Sequence, residues 1–239
     1  MKKRGSHVGM VLSFVVFITF LVFLYSVVEP AIKTQKDEKA ILNYLRTELI
    51  KKISANLTSV SVIIDETVSS NCVQLENFTN EAEIGSKLIV KNNSGNIFTA
   101  KISGNNLFVD RESSGNIFFK IYFSEEFEET EEGTMEGCEN LNKEAGDYKI
   151  GLIRTEKNIF EVKIIKLIEK YNIDYENLKN ELKIPSGNDF GFGFIYNNGT
   201  VTETEEKDLS TNIYTEETPI TYIDEDASIL SGFIKTKIW

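Results

Sequence analysis

The chain has a single histidine, His7, and only two cysteines, Cys72 and Cys138, among 239 residues. One histidine close to the N-terminus excludes Ser–His and Cys–His catalytic pairs, and histidine-based metal sites, from the body of the chain. Basic side chains are in deficit, 26 against 37 acidic, which gives a net charge of −11 and a pI near 4.8. A general nucleic-acid binder needs a basic face to neutralise phosphates, so no nucleic-acid partner is expected. The acidic run Glu125, Glu126, Glu128, Glu129, Glu131, Glu132 and Glu136 lacks the alternating Asp/Asn and central Gly of an EF-hand, as does Asp224-Glu225-Asp226. Both read as solvated loops, the longer run as a mobile one, with weak divalent-ion binding as the rival reading. Gly191-Phe192-Gly193 lacks the third glycine and the following helix of a nucleotide loop. Acidic residues are so abundant that no carboxylate pair stands out for glycoside hydrolysis. No cofactor and no catalytic residue are expected. Apolar material is plentiful, at 41% hydrophobic and 11% aromatic residues, which excludes a disordered chain.

Long uncharged runs are absent except for one. Val8 to Val28 holds no charge and consists mostly of Val, Phe, Leu and Ile, with Phe14, Phe17, Phe20 and Phe23 its largest side chains. As a helix its 21 residues span roughly 31 Å, the thickness of a bilayer's hydrocarbon core. The run is longer than the apolar core of a cleaved secretory signal, and Ser26-Val27-Val28 does not supply a small-x-small cleavage site. Lys2, Lys3 and Arg4 precede it and Glu29-Pro30 follow. The basic flank predicts a single-pass anchor in the cytoplasmic membrane, with residues 1–7 inside and the remainder outside the cell. His7 has no ionisable partner in the span and reads as an interfacial polar residue. Residues 1–36 carry five of the basic and one of the acidic side chains, so the exterior part has a net charge of −15. Such a charge suits a solvated surface and disfavours close contact with an anionic membrane.

Beyond the span, Leu42, Leu45, Leu49 and Ile53 recur at steps of three and four among charged residues, which predicts a helical stalk over 29–57. It follows the anchor so closely that the two read as one long helix, kinked or interrupted near Pro30. Residues 58–239 read as an α+β head, mostly antiparallel strands with short helices. Strand-like runs occur at 60–64, 87–91, 97–103, 107–111, 116–123 and 148–154, separated by Asn/Gly/Ser turns. Ile164, Leu167, Ile168 and Tyr171 mark a helix face, and Asp174 is placed to cap a second short helix that ends at Pro185. Phe190, Phe192, Phe194 and Tyr196 alternate with smaller residues and predict a strand with an aromatic core face. Asn198-Gly199 predicts a hairpin into 200–205, and further strands are expected at 220–223 and 232–239. Cys72 and Cys138 both lie beyond the membrane span, where an oxidising compartment permits a disulfide; two free thiols are the alternative. Sequons at Asn56, Asn77, Asn92 and Asn198 are about as many as composition alone would produce.

Lys2-Lys3-Arg4-Gly5-Ser6, running straight into the apolar helix, resembles the class III signal of archaeal type IV pilin-like proteins. The resemblance covers about the first 30 residues and the layout of one N-terminal helix ahead of a β-rich head. It implies a prepilin-type peptidase cutting between Gly5 and Ser6, and other pilin-like subunits as partners alongside the lipid bilayer. Many members of that family have Glu at the fifth mature position, where this chain has Met10, which implies weak or assisted assembly. The function expected is therefore a non-enzymatic, pilin-like surface protein of structural or adhesive role. A non-polymerising anchored binding module is the alternative, and a carboxylate-dependent hydrolase the least favoured reading.

Overall fold

The computed structural model describes the backbone of residues 6–205 and 213–239, and the side chains of all of these except 6, 7 and 29–37. The chain begins with helix α1 (Ser6–Ile53), 48 residues long. Pro30 falls inside this helix, so the apolar run and the segment after it form one helical element without interruption. Lys51 and Lys52 in the last turn offset the negative end of the helix dipole.

The expected stalk is not shown as a stalk. Leu42, Leu45, Leu49 and Ile53 are all buried, packed with α3 (Glu161–Ile173), α4 (Tyr175–Glu181) and the strands beneath them. Residues 54–57 are already strand, opening β1 (Ser54–Ile64) directly after Ile53. An amphipathic helix of this kind needs an apolar surface to cover its stripe, and here the head supplies it.

The remaining strands are β2 (Cys72–Leu75), β3 (Leu88–Asn92), β4 (Ile97–Phe98), β5 (Ala100–Ser103), β6 (Asn106–Asp110), β7 (Phe118–Phe123), β8 (Glu139–Leu141), β9 (Tyr148–Phe160), β10 (Phe190–Ile195), β11 (Val201–Glu203), β12 (Tyr214–Ile223) and β13 (Ile229–Ile238); a short helix α2 (Phe78–Glu81) follows β2. Nine strands form one sheet in the order β11-β10-β13-β12-β9-β1-β7-β3-β4, and four form a second in the order β5-β6-β2-β8. Pairing is antiparallel except for β2 with β8 and β12 with β9. The fold is thus α+β and mostly antiparallel, as expected.

The large sheet has two halves with a narrow join. β12 meets β9 only at Tyr222↔Ile159 and Ile223↔Phe160. On one side of the join, α1, α3 and α4 cover β10, β12 and β13. On the other, the small sheet covers β1, β3 and β7, burying Val60, Val62, Phe119 and Ile121. A third cluster, Leu57, Phe127, Phe160, Ile223 and Ala227, fills the seam between the halves.

Several elements follow the expected chemistry. Phe190, Phe192 and Phe194 are buried on one face of β10. Asp174 accepts from the Asn177 N–H at 3.4 Å and caps α4. Gly199 takes φ +82° in the hairpin joining β10 to β11, where a side chain would be strained. Two expectations are corrected. The run 97–103 is not one strand: it breaks at Thr99, and β4 pairs in the large sheet while β5 pairs in the small one. The strand expected over 148–154 extends to Phe160, its pairing with β1 shifting register between Val60 and Val62.

Candidate functional site

Val8–Val28 has a mean hydropathy of 2.7 and none of it is buried against the rest of the described chain. Phe14, Phe17, Phe20, Phe23, Val8 and Val28 are all exposed. A surface this apolar is stable only in lipid or against other apolar helices. Of the expected processing site, Ser6 is the first residue of α1, while Gly5 lies outside the described residues, as do Lys2, Lys3 and Arg4.

Cys72 and Cys138 are bonded to each other, Cα to Cα 4.4 Å apart. The bridge joins the first residue of β2 to the residue just before β8, the strand beside it. Arg111 lies nearby and is fully buried. Its guanidinium donates to four backbone carbonyls, those of Val68, Ser70, Ser114 and Asn116. Burial lowers its pKa, with the Glu139 charge opposing weakly. The side chain clamps the loop before β2 to the turn before β7.

A cleft of about 860 Å³ lies at the seam between the two halves of the large sheet. One wall is the acidic run, Glu126 to Glu131, beside β3 and β4. The other comprises the start of α3 (Glu161, Val162, Ile165), the β10–β11 hairpin tip and the β12–β13 turn, Asp224 to Asp226. The lining is apolar in Phe98, Phe127, Phe160, Ile97, Ile165 and Leu230, the last three partly or fully open to solvent.

The acidic wall is anchored, unlike the free, mobile loop its charge suggests. Phe127 is buried edge-on against Phe160, ring centroids 5.7 Å apart. Glu126 pairs with Lys163 at 3.0 Å, Glu131 with Lys101 at 3.0 Å, and the Ser86 hydroxyl donates to Glu129 at 2.9 Å. Thr130 both accepts from the Leu88 N–H and donates to its carbonyl. On the opposite wall, Asp224 accepts from the N–H groups of Asp226 and Ser228. Buried Lys91 donates to the Ser228 hydroxyl at 2.8 Å and ties β3 to this turn. Tyr196 is raised to about 12, by burial and by a hydrogen bond to Glu161. Tyr222 is also raised, by burial first.

Among the described residues no three His, Cys, Asp or Glu side chains are placed to hold a metal ion. What the cleft offers is an apolar surface between two rows of carboxylates, suited to binding by charge and shape. Its walls come from six separated segments, so no sequence pattern announces it. The one signal was Phe127, a large apolar residue inside a run of glutamates. Comparison with protein-family models, curated proteins and solved structures finds no match to this chain.

Proposed function

We propose that this chain is a membrane-anchored, pilin-like surface protein of structural or adhesive role, held by residues 8–28 with its head outside the cell. The observation that carries this reading is the division of labour within α1. Its first 21 apolar residues after His7 have no protein cover, and its last turns are part of the head's core. Such an element holds a folded domain directly on a hydrophobic helix that lipid or like helices can cover. Two such surroundings are open to the span, because transfer from lipid to a helical bundle exchanges one apolar contact for another. The disulfide supports an exterior head. No catalytic role is proposed.

Mass spectrometry of the native N-terminus tests the reading. Ser6 is expected as the first residue, and Gly5→Leu is expected to leave Met1 or Lys2 there. Wild-type protein from its native host that retains residues 1–5 removes the pilin-like reading in favour of a non-polymerising anchored module. Protease added to intact cells is expected to reach sites after Glu29; protection until the membrane is broken reverses the orientation.

A further inference from the structure

We propose that the cleft between the acidic wall and the β12–β13 turn binds a cationic peptide segment that carries apolar side chains between its basic ones. The inference goes beyond the structural role above and holds for a filament subunit or a monomer alike.

Charge complementarity selects the occupant. The lining includes Glu126, Glu128, Glu129, Glu131, Glu161, Asp224, Glu225 and Asp226, and no lysine or arginine. Glu126, Glu129 and Glu131 are partly neutralised from behind by Lys163, Lys87 and Lys101. Glu128, Glu225 and Asp226 make no ion pair among the described residues. Facing rows of like charge repel in the empty cleft, and a ligand with spaced positive charges relieves that repulsion as it binds.

The apolar surface between the rows decides between classes of cation. Ile97 is 45% and Ile165 38% exposed, and Leu230 is half-buried, all three on the cleft. Bare metal ions gain nothing from that surface, and the carboxylates are not clustered to chelate one. A peptide that alternates basic and apolar side chains uses both features: its ammonium groups meet the rims while Leu or Phe side chains cover Ile97, Ile165 and Leu230. Phosphate-bearing partners are repelled by the same rims.

The test uses the full-length protein in detergent micelles and a fluorescein-labelled peptide, Lys-Leu-Lys-Phe-Lys-Leu, followed by anisotropy. Saturable binding is expected, weakening as salt rises from about 50 to about 300 mM. The exposed pair Glu128→Gln/Glu225→Gln, whose side chains make no hydrogen bond or ion pair among the described residues, is expected to weaken binding about fivefold or more. Ile165→Arg, which sets a cation in the cleft, is expected to weaken it about tenfold. The remote pair Glu144→Gln/Glu176→Gln makes the same change in net charge and is expected to leave binding within about twofold, since surface charges beyond a Debye length are screened. The proposal is overturned by absence of saturable binding, or by equal loss in the remote pair, which means general attraction to an acidic protein. It is also overturned if Lys-Ser-Lys-Ser-Lys-Ser or spermine binds as tightly as the probe, because the apolar surface is then unused and the site takes any polycation.

Discussion

The Tyr171 hydroxyl donates to the backbone carbonyl of Phe190 across 2.7 Å, fastening α3 to the first residue of β10. Its ring meets those of Tyr175, Phe190 and Phe192 edge-on, with centroids 5.0–5.8 Å apart. The hydroxyl, which also meets the Thr204 side chain, ties elements together by hydrogen bonding while the ring packs the core. Tyr171→Phe keeps the ring contacts and leaves a buried carbonyl short of a donor, so a loss of about 1–2 kcal/mol is expected. Urea unfolding of the head measures it, and an unchanged midpoint shows that the bond contributes nothing net.

The same burial produces a pH dependence. Tyr148, Tyr171 and Tyr196 are each raised from 10.0 to about 12, burial being the main cause, and Tyr175 is raised as well. The fold favours the neutral phenol, so its contribution is complete below pH 10 and is lost as pH rises towards about 12. Absorbance of tyrosinate and far-UV circular dichroism, followed together, are expected to show these phenols ionising as the head unfolds. Smooth titration of these four tyrosines near pH 10 with the fold intact contradicts this.

Breaking the Cys72–Cys138 bridge releases a loop closed over 66 positions of sequence. In the chain-entropy account such a loop is worth about 4 kcal/mol. Cys72→Ser is expected to lose most of that, because Phe127 and Thr130 already fasten part of the loop in the native head. A non-reducing peptide map of native protein is expected to show one linked pair.

Arg111 is expected to be among the costliest residues to replace. Arg111→Met leaves four inward carbonyls without their donor and is expected to cost about 3 kcal/mol or more. Arg111→Lys keeps the charge but not the planar fork that reaches four acceptors, so it is expected to recover less than half of the loss. Thermal melting of the three proteins decides this; a full rescue by lysine shows that charge alone matters.

For the stripe on α1, Leu49→Ala is expected to destabilise the head by about 2–5 kcal/mol, as for a fully buried leucine. Removal of residues 1–37 is expected to give a soluble folded head, and removal of residues 1–53 an unfolded one. Two equally stable fragments imply that the helix only leans on the domain.

Local patterns carried far in the sequence, and assembly did not. Alternation at Phe190, Phe192 and Phe194 gave both the strand and its buried face, and the spacing of Leu42, Leu45, Leu49 and Ile53 gave a helix with one apolar stripe. Nothing in that spacing says what covers the stripe: the partners Ile164, Tyr171 and Phe192 are more than a hundred residues away. β2 and β8 were missed because four and three residues are too short to establish a period. The break at Thr99 was hidden because a strand that changes sheets keeps strand-like residues throughout. The cleft was illegible for the same reason as the stripe's cover, since its charge was visible in 125–136 but its opposing wall was not.

The order in which the chain is made sets when the head can form. β13, the last element, lies between β10 and β12 in the large sheet and against α1, the first element. Leu42 and Ile238 share one core. A nascent chain therefore holds its apolar first helix long before the strand that completes the surrounding core exists. A product released before residue 229 lacks that strand, leaving the β10 and β12 edges it would pair with open and the α1 stripe poorly covered. Such a molecule has its apolar helix in place and its core unfinished, so synthesis of residues 229–238 sets when the head can close.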